Sequence, residues 1–326
     1  MSCGKLHQDN DMNAIEQNNH LAILINNSLD SASNIISPIG IYLILTLIKS
    51  GATGKSNNEL DEKIGDKLDI LDVHFFMKQF NNEYISIINQ IIVADINYLD
   101  KKFISLTEDI IKIRVDPNLS NNSVYIMNNI LMTGEWLYGF DSKLSSFEKF
   151  HHTINIYMMK QVNYFDYYSD KRVQVMEMEY RYYGYKFGII LPKNYMEELD
   201  MEYNIADIPI IKLSELNEMI NNMSPTLLNI SIPKFTHFRK YNMKNILQKN
   251  GITTIFSKNA DLDMIGNKLH IKNITHIVTV RINENGGKSK KIKFTKIKKF
   301  DANHPFIYYI RHVPSNMILL YGDFQG

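Results

Sequence analysis

Long β-type runs recur from the first third of this chain to its end, and that spread most restricts what it can fold into. Residues 85–98 and 110–115 read as strands, Val124 to Thr133 is an apolar run between turn signals, and Phe187 to Leu191 is another, closed by Pro192. Leu228, Ile230 and Ile232 alternate within 227–235, and Ile274 to Ile282 alternates again. Phe306 to Arg311 and Met317 to Gly322 are joined by a short turn at Pro314-Ser315. Period-two alternation marks a strand with one face buried. Helices fall between these strands, with no repeat and no clear interdomain linker. The pattern predicts a single α+β domain over residues 1–326.

The helices announce themselves by their ends. Residues 12–29 form an amphipathic pattern with Ile15, Leu21, Ile23 and Leu24 among its apolar positions. Ser37-Pro38 opens an apolar helix from Ile39 to Lys49, serine as cap and proline in the first turn, and Gly51 stops it. Ser56 to Ile64 reads as a short helix, a further one lies around Phe103 to Ile111, and Met243 to Lys249 ends at Gly251, a natural residue after a helix C-terminus.

Composition excludes more than it selects. Hydrophobic residues make up 44% and charged residues 22%, with a net charge of +1. A near-neutral chain has no global drive toward nucleic acid or membrane, so any charged partner must be met by a local cluster. The one cysteine, Cys3, allows no intrachain disulfide, which favours a reducing compartment. Met1 to Asn19 is polar and lacks a leader's apolar stretch, and no apolar run is long enough to span a bilayer. The expected location is cytoplasmic. Gly51-Ala-Thr-Gly-Lys-Ser56 imitates a phosphate loop, but that motif needs a glycine where Lys49 stands and a strand where a helix is read. Asp261 and Asp263 lack clustered ligands, and His151-His152 lacks partners at zinc spacing. No metal, cofactor or catalytic triad is called for.

Five segments, in order, carry a family resemblance. They are Asn34 to Ile41 with Gly51 to Leu60; Met127 to Trp136 with Phe140-Asp141 and Phe150-His151; Phe187 to Lys193; Ile232 to Phe235 with Gly251 to Phe256 and Asn259 to Leu262; and Thr275 to Gly286 with Asn303 to Phe306. Together they resemble the serpins. The missing leader, short length and Asn- and Ile-rich composition narrow this toward the leaderless intracellular serpins of poxviruses. The resemblance implies a large metastable central sheet with smaller sheets and surrounding helices. An exposed reactive loop can enter that sheet as a new strand, dragging an acylated protease with it. The protein is bait and spring, and not an enzyme.

Residue by residue, the resemblance implies a shutter of Ser37, Asn128 and His276 beneath the central sheet. A further family serine is Gly40 here, which leaves that network incomplete. It also implies a breach of Trp136, Lys234 and Glu284, with a Lys234–Glu284 ion pair whose loss is costly if the pair is buried. The loop hinge falls on Glu284, Asn285, Gly286 and Gly287, and the scissile region on Lys293, Phe294 and Thr295.

Two departures weaken the inhibitor reading. The nine residues from Val115 to Ser123 cannot hold the long helix that lies over the central sheet in the family. The reactive loop is also short and basic, with seven lysines at Lys288, Lys290, Lys291, Lys293, Lys296, Lys298 and Lys299. In an inserted strand, alternate residues face the core. From Gly287 that set includes Lys291 and Lys293, and the opposite register turns Lys288 and Lys290 inward. Each unpaired buried charge costs on the order of several kcal/mol. The stretch from Gly287 to Phe294 spans about 26 Å at ~3.3 Å per residue, a partial strand only. The basic strip reads as a solvated edge, as a docking strip for an acidic protein, nucleic acid or anionic lipid, or as bait for a trypsin-like protease. Nucleic acid is the weaker member because no stacking platform accompanies the charge.

The leading expectation is a host-directed viral binding protein of serpin fold, acting on a host protease or other host protein without suicide inhibition. The alternatives are a working inhibitor of a host serine or cysteine protease, and a scaffolding protein within an assembly. The oligomeric state stays open, and an uncovered apolar sheet face is a second candidate surface.

Overall fold

The computed structural model describes residues 3–29, 33–65, 69–151, 154–193, 209–288 and 297–326, with backbone alone for 3–13. The chain forms two compact units, each assembled from separated segments. The first comprises Met1–Ser28, Ser37–Met132 and Phe238–Thr279, and the second comprises Leu29–Ile36, Thr133–His237 and Val280–Gly326.

The first unit packs helices on one face of a sheet. Its helices are α1 (Cys3–Asn27), α2 (Pro38–Lys49), α3 (Gly54–Ile64), α4 (Ile70–Phe80), α5 (Lys101–Thr107) and α7 (Met243–Lys249). Its strands are β2 (Ile85–Val93), β3 (Lys112–Val115), β4 (Ser123–Met132) and the greater parts of β10 (Phe235–Asn242) and β11 (His270–Ile282), in the order β10-β11-β4-β2-β3. Helix α2 starts where the sequence places it. The Ser37 side chain accepts the Gly40 N–H at 3.3 Å, Pro38 occupies the first turn, and all twelve residues are buried. β2 and β4 alternate between buried and partly exposed positions, as period-two strands must when one face lies on the core.

Several boundaries differ from the sequence reading, each for a local reason. The strand expected over 85–98 ends at Val93, because Asp95 caps a single 3-10 turn, Ile96–Tyr98, through the Asn97 N–H. The helix expected around 103–111 occupies Lys101–Thr107, since Asp100 accepts the Lys102 and Phe103 N–H groups and fixes its start. Helix α4 was not foreseen at all, although Asp69 and Asp72 form a reciprocal capping box at its first turn. Between β3 and β4 the chain runs through turns over 116–122, with Asp116 accepting the Asn118 N–H. As the nine-residue length predicts, no helix forms there.

The second unit is built on a nine-stranded sheet. Its strands are β1 (Ile35–Ile36), β5 (Ser146–Phe150), β6 (Ile154–Ser169), β7 (Val173–Glu179), β8 (Tyr185–Pro192), β9 (Ser224–Pro233), β12 (Lys298–Asp301), β13 (Phe306–His312) and β14 (Met317–Phe324), with helix α6 (Leu213–Asn221). The order is β1-β14-β13-β8-β7-β6-β9-β12, with β5 paired to β6. The sixteen-residue β6 serves β5, β9 and β7 in turn along its length. Its mixed polar and aromatic sequence hid it from a search for clean alternation. β12 runs parallel to β9, Lys298 opposite Leu228 and Asp301 opposite Ser231, so residues 298–301 are strand and not free loop.

A buried ion pair lies inside this sheet. Arg311 donates through Nε and Nη2 to the two carboxylate oxygens of Glu177 at 2.7 and 2.8 Å, and the Tyr309 hydroxyl donates to Glu177 at 2.8 Å. The two charged side chains are only 9% and 1% exposed. Removing one partner strands the other charge, whereas removing both does not. Glu177→Leu is therefore expected to lose about 3–5 kcal/mol of unfolding free energy in a urea titration, and Glu177→Leu with Arg311→Met substantially less.

Candidate functional site

Two clusters hold the residues singled out by sequence, one in each unit. In the first unit Ser37, Asn128 and His276 come together. The Ser37 backbone N–H donates to His276 Nε2 at 3.0 Å. With that nitrogen an acceptor, the imidazole proton sits on Nδ1 and is donated to Asn128 Oδ1 at 2.8 Å. Asn128 Nδ2 donates to Asn89 Oδ1 at 2.7 Å, and Asn89 Nδ2 donates to the Ile110 carbonyl at 3.3 Å. Because β11 and β4 are neighbours in the sheet, the His276–Asn128 bond crosses the seam between them.

The glycine at position 40 does not leave a gap. A Cβ there would meet Asn128 Oδ1 at 2.4 Å and Ile130 Cδ1 at 2.9 Å, so only glycine lets the Asn128 amide sit against the start of α2. Asn89 extends the chain of hydrogen bonds instead. It escaped the sequence reading, yet it carried a signal: it is the one polar side chain in the inward set Ile85, Ile87, Asn89, Ile91, Val93.

Burial makes His276 hard to charge. Its pKa is lowered from 6.5 to about 3 by desolvation.

In the second unit Trp136, Lys234 and the hinge residues converge. Trp136 is buried, stacked on Tyr180 at 4.6 Å between ring centroids and flanked edge-on by Phe140. Its indole Nε1–H donates to the Asn283 carbonyl at 2.6 Å. Four backbone bonds then stitch residues 284–287, the expected hinge, to residues 136–140. Trp136 N–H donates to Asn285 O at 2.9 Å, Gly287 N–H to Trp136 O at 3.1 Å, Gly139 N–H to Gly287 O at 2.7 Å and Phe140 N–H to Glu284 O at 3.1 Å. The close approach needs glycine. A Cβ on Gly286 would stand 2.6 Å from Gly139 N and 2.7 Å from Trp136 O, and one on Gly287 would stand 2.5 Å from Leu137 O.

Lys234 and Glu284 form the expected ion pair, at 2.8 Å, but it is not buried: the side chains are 45% and 34% exposed. Hydrogen bonding from Lys234 lowers the Glu284 pKa. Pairs so exposed contribute roughly 0–1 kcal/mol, so the large penalty tied to burial does not apply. Lys234 also lies over the Tyr157 ring, 5.9 Å from its centroid.

The basic strip is only partly in view. Lys288 is exposed beyond the hinge, and Lys298 and Lys299 are exposed on β12, with Lys298 5.1 Å from the Tyr167 ring centroid. Phe300 beside them is fully buried. Lysine on an edge strand blocks pairing with other chains, which accounts for Lys298 and Lys299. Lys290, Lys291, Lys293 and Lys296, and with them the scissile region Lys293, Phe294 and Thr295, lie outside the described residues. The phosphate-loop imitation is a helix start, with Lys55 N–H donating to Asp261 at 3.2 Å. Among the described residues no group of three metal-ligating side chains occurs, and no helix is long and apolar enough to cross a membrane.

Two outcomes test this geometry. The unfolded chain takes up the His276 proton near pH 6.5 and the folded chain only near pH 3. The stability His276 contributes is thus fully present above about pH 6.5 and is lost as pH falls toward 3, on the order of 5 kcal/mol in total. Chemical denaturation across that range should show the acid limb in the wild type and a flatter one in His276→Gln. Gly286→Ala, forced against backbone that cannot give way, should lose about 1–3 kcal/mol and speed amide exchange at Trp136 and Gly139.

Comparison with known proteins places this architecture. The family model described as Serpin (serine protease inhibitor) matches residues 98–325. An uncharacterized serpin-like protein of Acanthamoeba polyphaga mimivirus is 32% identical over 95% of this chain and 89% of its own length. The leukocyte elastase inhibitor of Xenopus laevis is 25% identical over 93% of this chain and 95% of its own. Among solved structures, maspin superposes with a TM-score of 0.83 at 19% identity over 97% of this chain and 99% of its own. Uncleaved ovalbumin gives 0.80 at 16% over 96% and 98%. The α+β fold with its helix-covered five-stranded sheet and its nine-stranded sheet is the serpin fold, and the chain belongs to the serpin family.

Proposed function

We propose that this serpin acts by engaging a protein partner, as a host-directed viral protein working inside the infected cell, and that it does not trap proteases by inserting its loop. Glu284, Asn285, Gly286 and Gly287 serve as the hinge, Trp136 and Lys234 as the breach, and Ser37, Asn128 and His276 as the shutter. The observation that carries the reading is the four-bond backbone stitch holding that hinge to residues 136–140. Insertion has to break all four bonds and the His276–Asn128 bond across the seam before any new strand pairing forms. The strand that would follow brings lysines to inward positions in either register, each costing on the order of several kcal/mol unless paired. Strain elsewhere in the family is relieved by a long, small-residue loop, and this chain supplies a short basic one.

A second reading keeps the protein as a working inhibitor. It is favoured by the complete hydrogen-bond chain through His276 and by the likeness to an elastase inhibitor. Trypsin distinguishes the two, because the lysines at 288–299 offer it cleavage sites. The expected result is clean nicking, no covalent complex on a denaturing gel, and no rise in melting temperature of the nicked protein. A gel-stable complex, or a melting temperature raised by tens of degrees, would establish insertion and sink the proposal.

A further inference from the structure

The five-stranded sheet of the first unit has one face on the core and one face that carries no described helix. Asn89 and Asn128 fix which is which: both lie in the core-facing sets, with Asn89 reaching Met77 of α4 and Asn128 lying against Gly40 of α2. These two helices are the ones packed extensively on β2 and β4. The register then assigns the other face. Ile88 and Ile92 of β2 stand opposite Asn129 and Tyr125 of β4, with Met127 and Leu131 in the same set. Ile277 of β11 and Phe238 of β10 continue it, and Phe238 is 54% exposed. All of these are partly or fully exposed, whereas their neighbours on the core face of β2, β4 and β11 are buried.

The charge on this sheet is one-sided. β2, β3, β4, β10 and β11 contain no aspartate or glutamate, yet they carry Lys112, Arg114, Arg239, Lys240, Lys272 and Arg281. The nine-stranded sheet of the other unit, by contrast, holds Glu148, Asp166, Glu177, Glu179, Asp301 and Asp323. On the open face cations stand on both border strands, and Arg281 at the end of the inner strand β11, four residues after Ile277, shares that face. Lys112 and Arg114 of β3 share the face of Gln90 and Ile92 at one edge, and Lys240 of β10 lies at the other. All three are exposed, and none forms an ion pair among the described residues.

We infer that this face docks an amphipathic helix of a partner protein, its apolar stripe on Ile88, Ile92, Met127, Leu131 and Ile277, and its acidic flanks on Lys112, Arg114 and Lys240. The dimensions agree: five strands at ~4.8 Å spacing span about 19 Å, and a helix about 10–12 Å across leaves glutamate-length reach to either border. A helix is the element that packs on a sheet face. A second copy of this chain does not fit, because like faces would set Lys112, Arg114 and Lys240 against each other. The inference stands apart from the loop reading, since no loop residue takes part.

The test uses full-length protein and two synthetic helices of about 18 residues, long enough for five turns. Both carry the same leucine stripe, one flanked by glutamate and the other by lysine. Fluorescence anisotropy should show the glutamate helix binding at least tenfold more tightly, weakening with salt. Amide exchange should slow in β2 and β4 when it binds. Lys112→Glu with Arg114→Glu, exposed changes checked by an unaltered melting temperature, should abolish the preference for the glutamate helix. Equal binding of both helices, no binding of either, or protection confined to the other unit would overturn the inference. So would phosphatidylserine vesicles that displace the glutamate helix.

Discussion

The imidazole of His276 is the tie on which the first unit depends. One ring nitrogen accepts from the start of α2 and the other donates across the sheet to β4, which passes the chain of bonds on to β2. A buried polar network of this kind is stable only when every member is satisfied, because an orphaned donor or acceptor there loses its water without replacement. Neutrality is part of the design: a charged imidazole cannot accept from Ser37, so the network and the proton exclude each other. Gly40 belongs to the same constraint, since any side chain at that position would occupy the place of the Asn128 amide.

The second unit solves a different problem, holding residues 284–287 against residues 136–140. Backbone-to-backbone packing at Gly139, Gly286 and Gly287 gives short, direct hydrogen bonds that no side chain interrupts. Trp136 anchors the stitch from below through its indole N–H and its stack on Tyr180. The exposed Lys234–Glu284 pair adds orientation more than energy, since water competes for both charges.

Charge is sorted between the two sheets in a way the net charge of +1 conceals. In the nine-stranded sheet, acids and bases meet, as at Glu177–Arg311 and at Lys186, which pairs with both Asp166 and Glu179. In the five-stranded sheet, cations stand without strand-borne acids. With the covering helix reduced to a turn over 116–122, an apolar floor and a basic rim are presented together. The two features coincide on one face.

The sequence by itself determined the class and much of the frame. Ser37-Pro38 and Gly51 bounded α2, alternation marked β9 and β11, and the nine residues from Val115 to Ser123 excluded the covering helix by length alone. Those signals are local, so they survive reading one residue at a time. It also named Ser37, Asn128, His276, Trp136, Lys234 and Glu284, through family resemblance and not through any pattern in this chain. Tertiary structure decided what no local pattern encodes. β6 was hidden because its mixed polar and aromatic residues show no clean alternation. Asn89 joined His276 only through β4. The Lys234–Glu284 pair turned out half exposed, because burial depends on what lies overhead. The bonds between residues 284–287 and 136–140 arose where Gly139 meets the distant Gly286-Gly287 pair, each unremarkable until the backbones meet. Residue identity fixes propensity and charge, but contact and exposure are properties of the assembled chain.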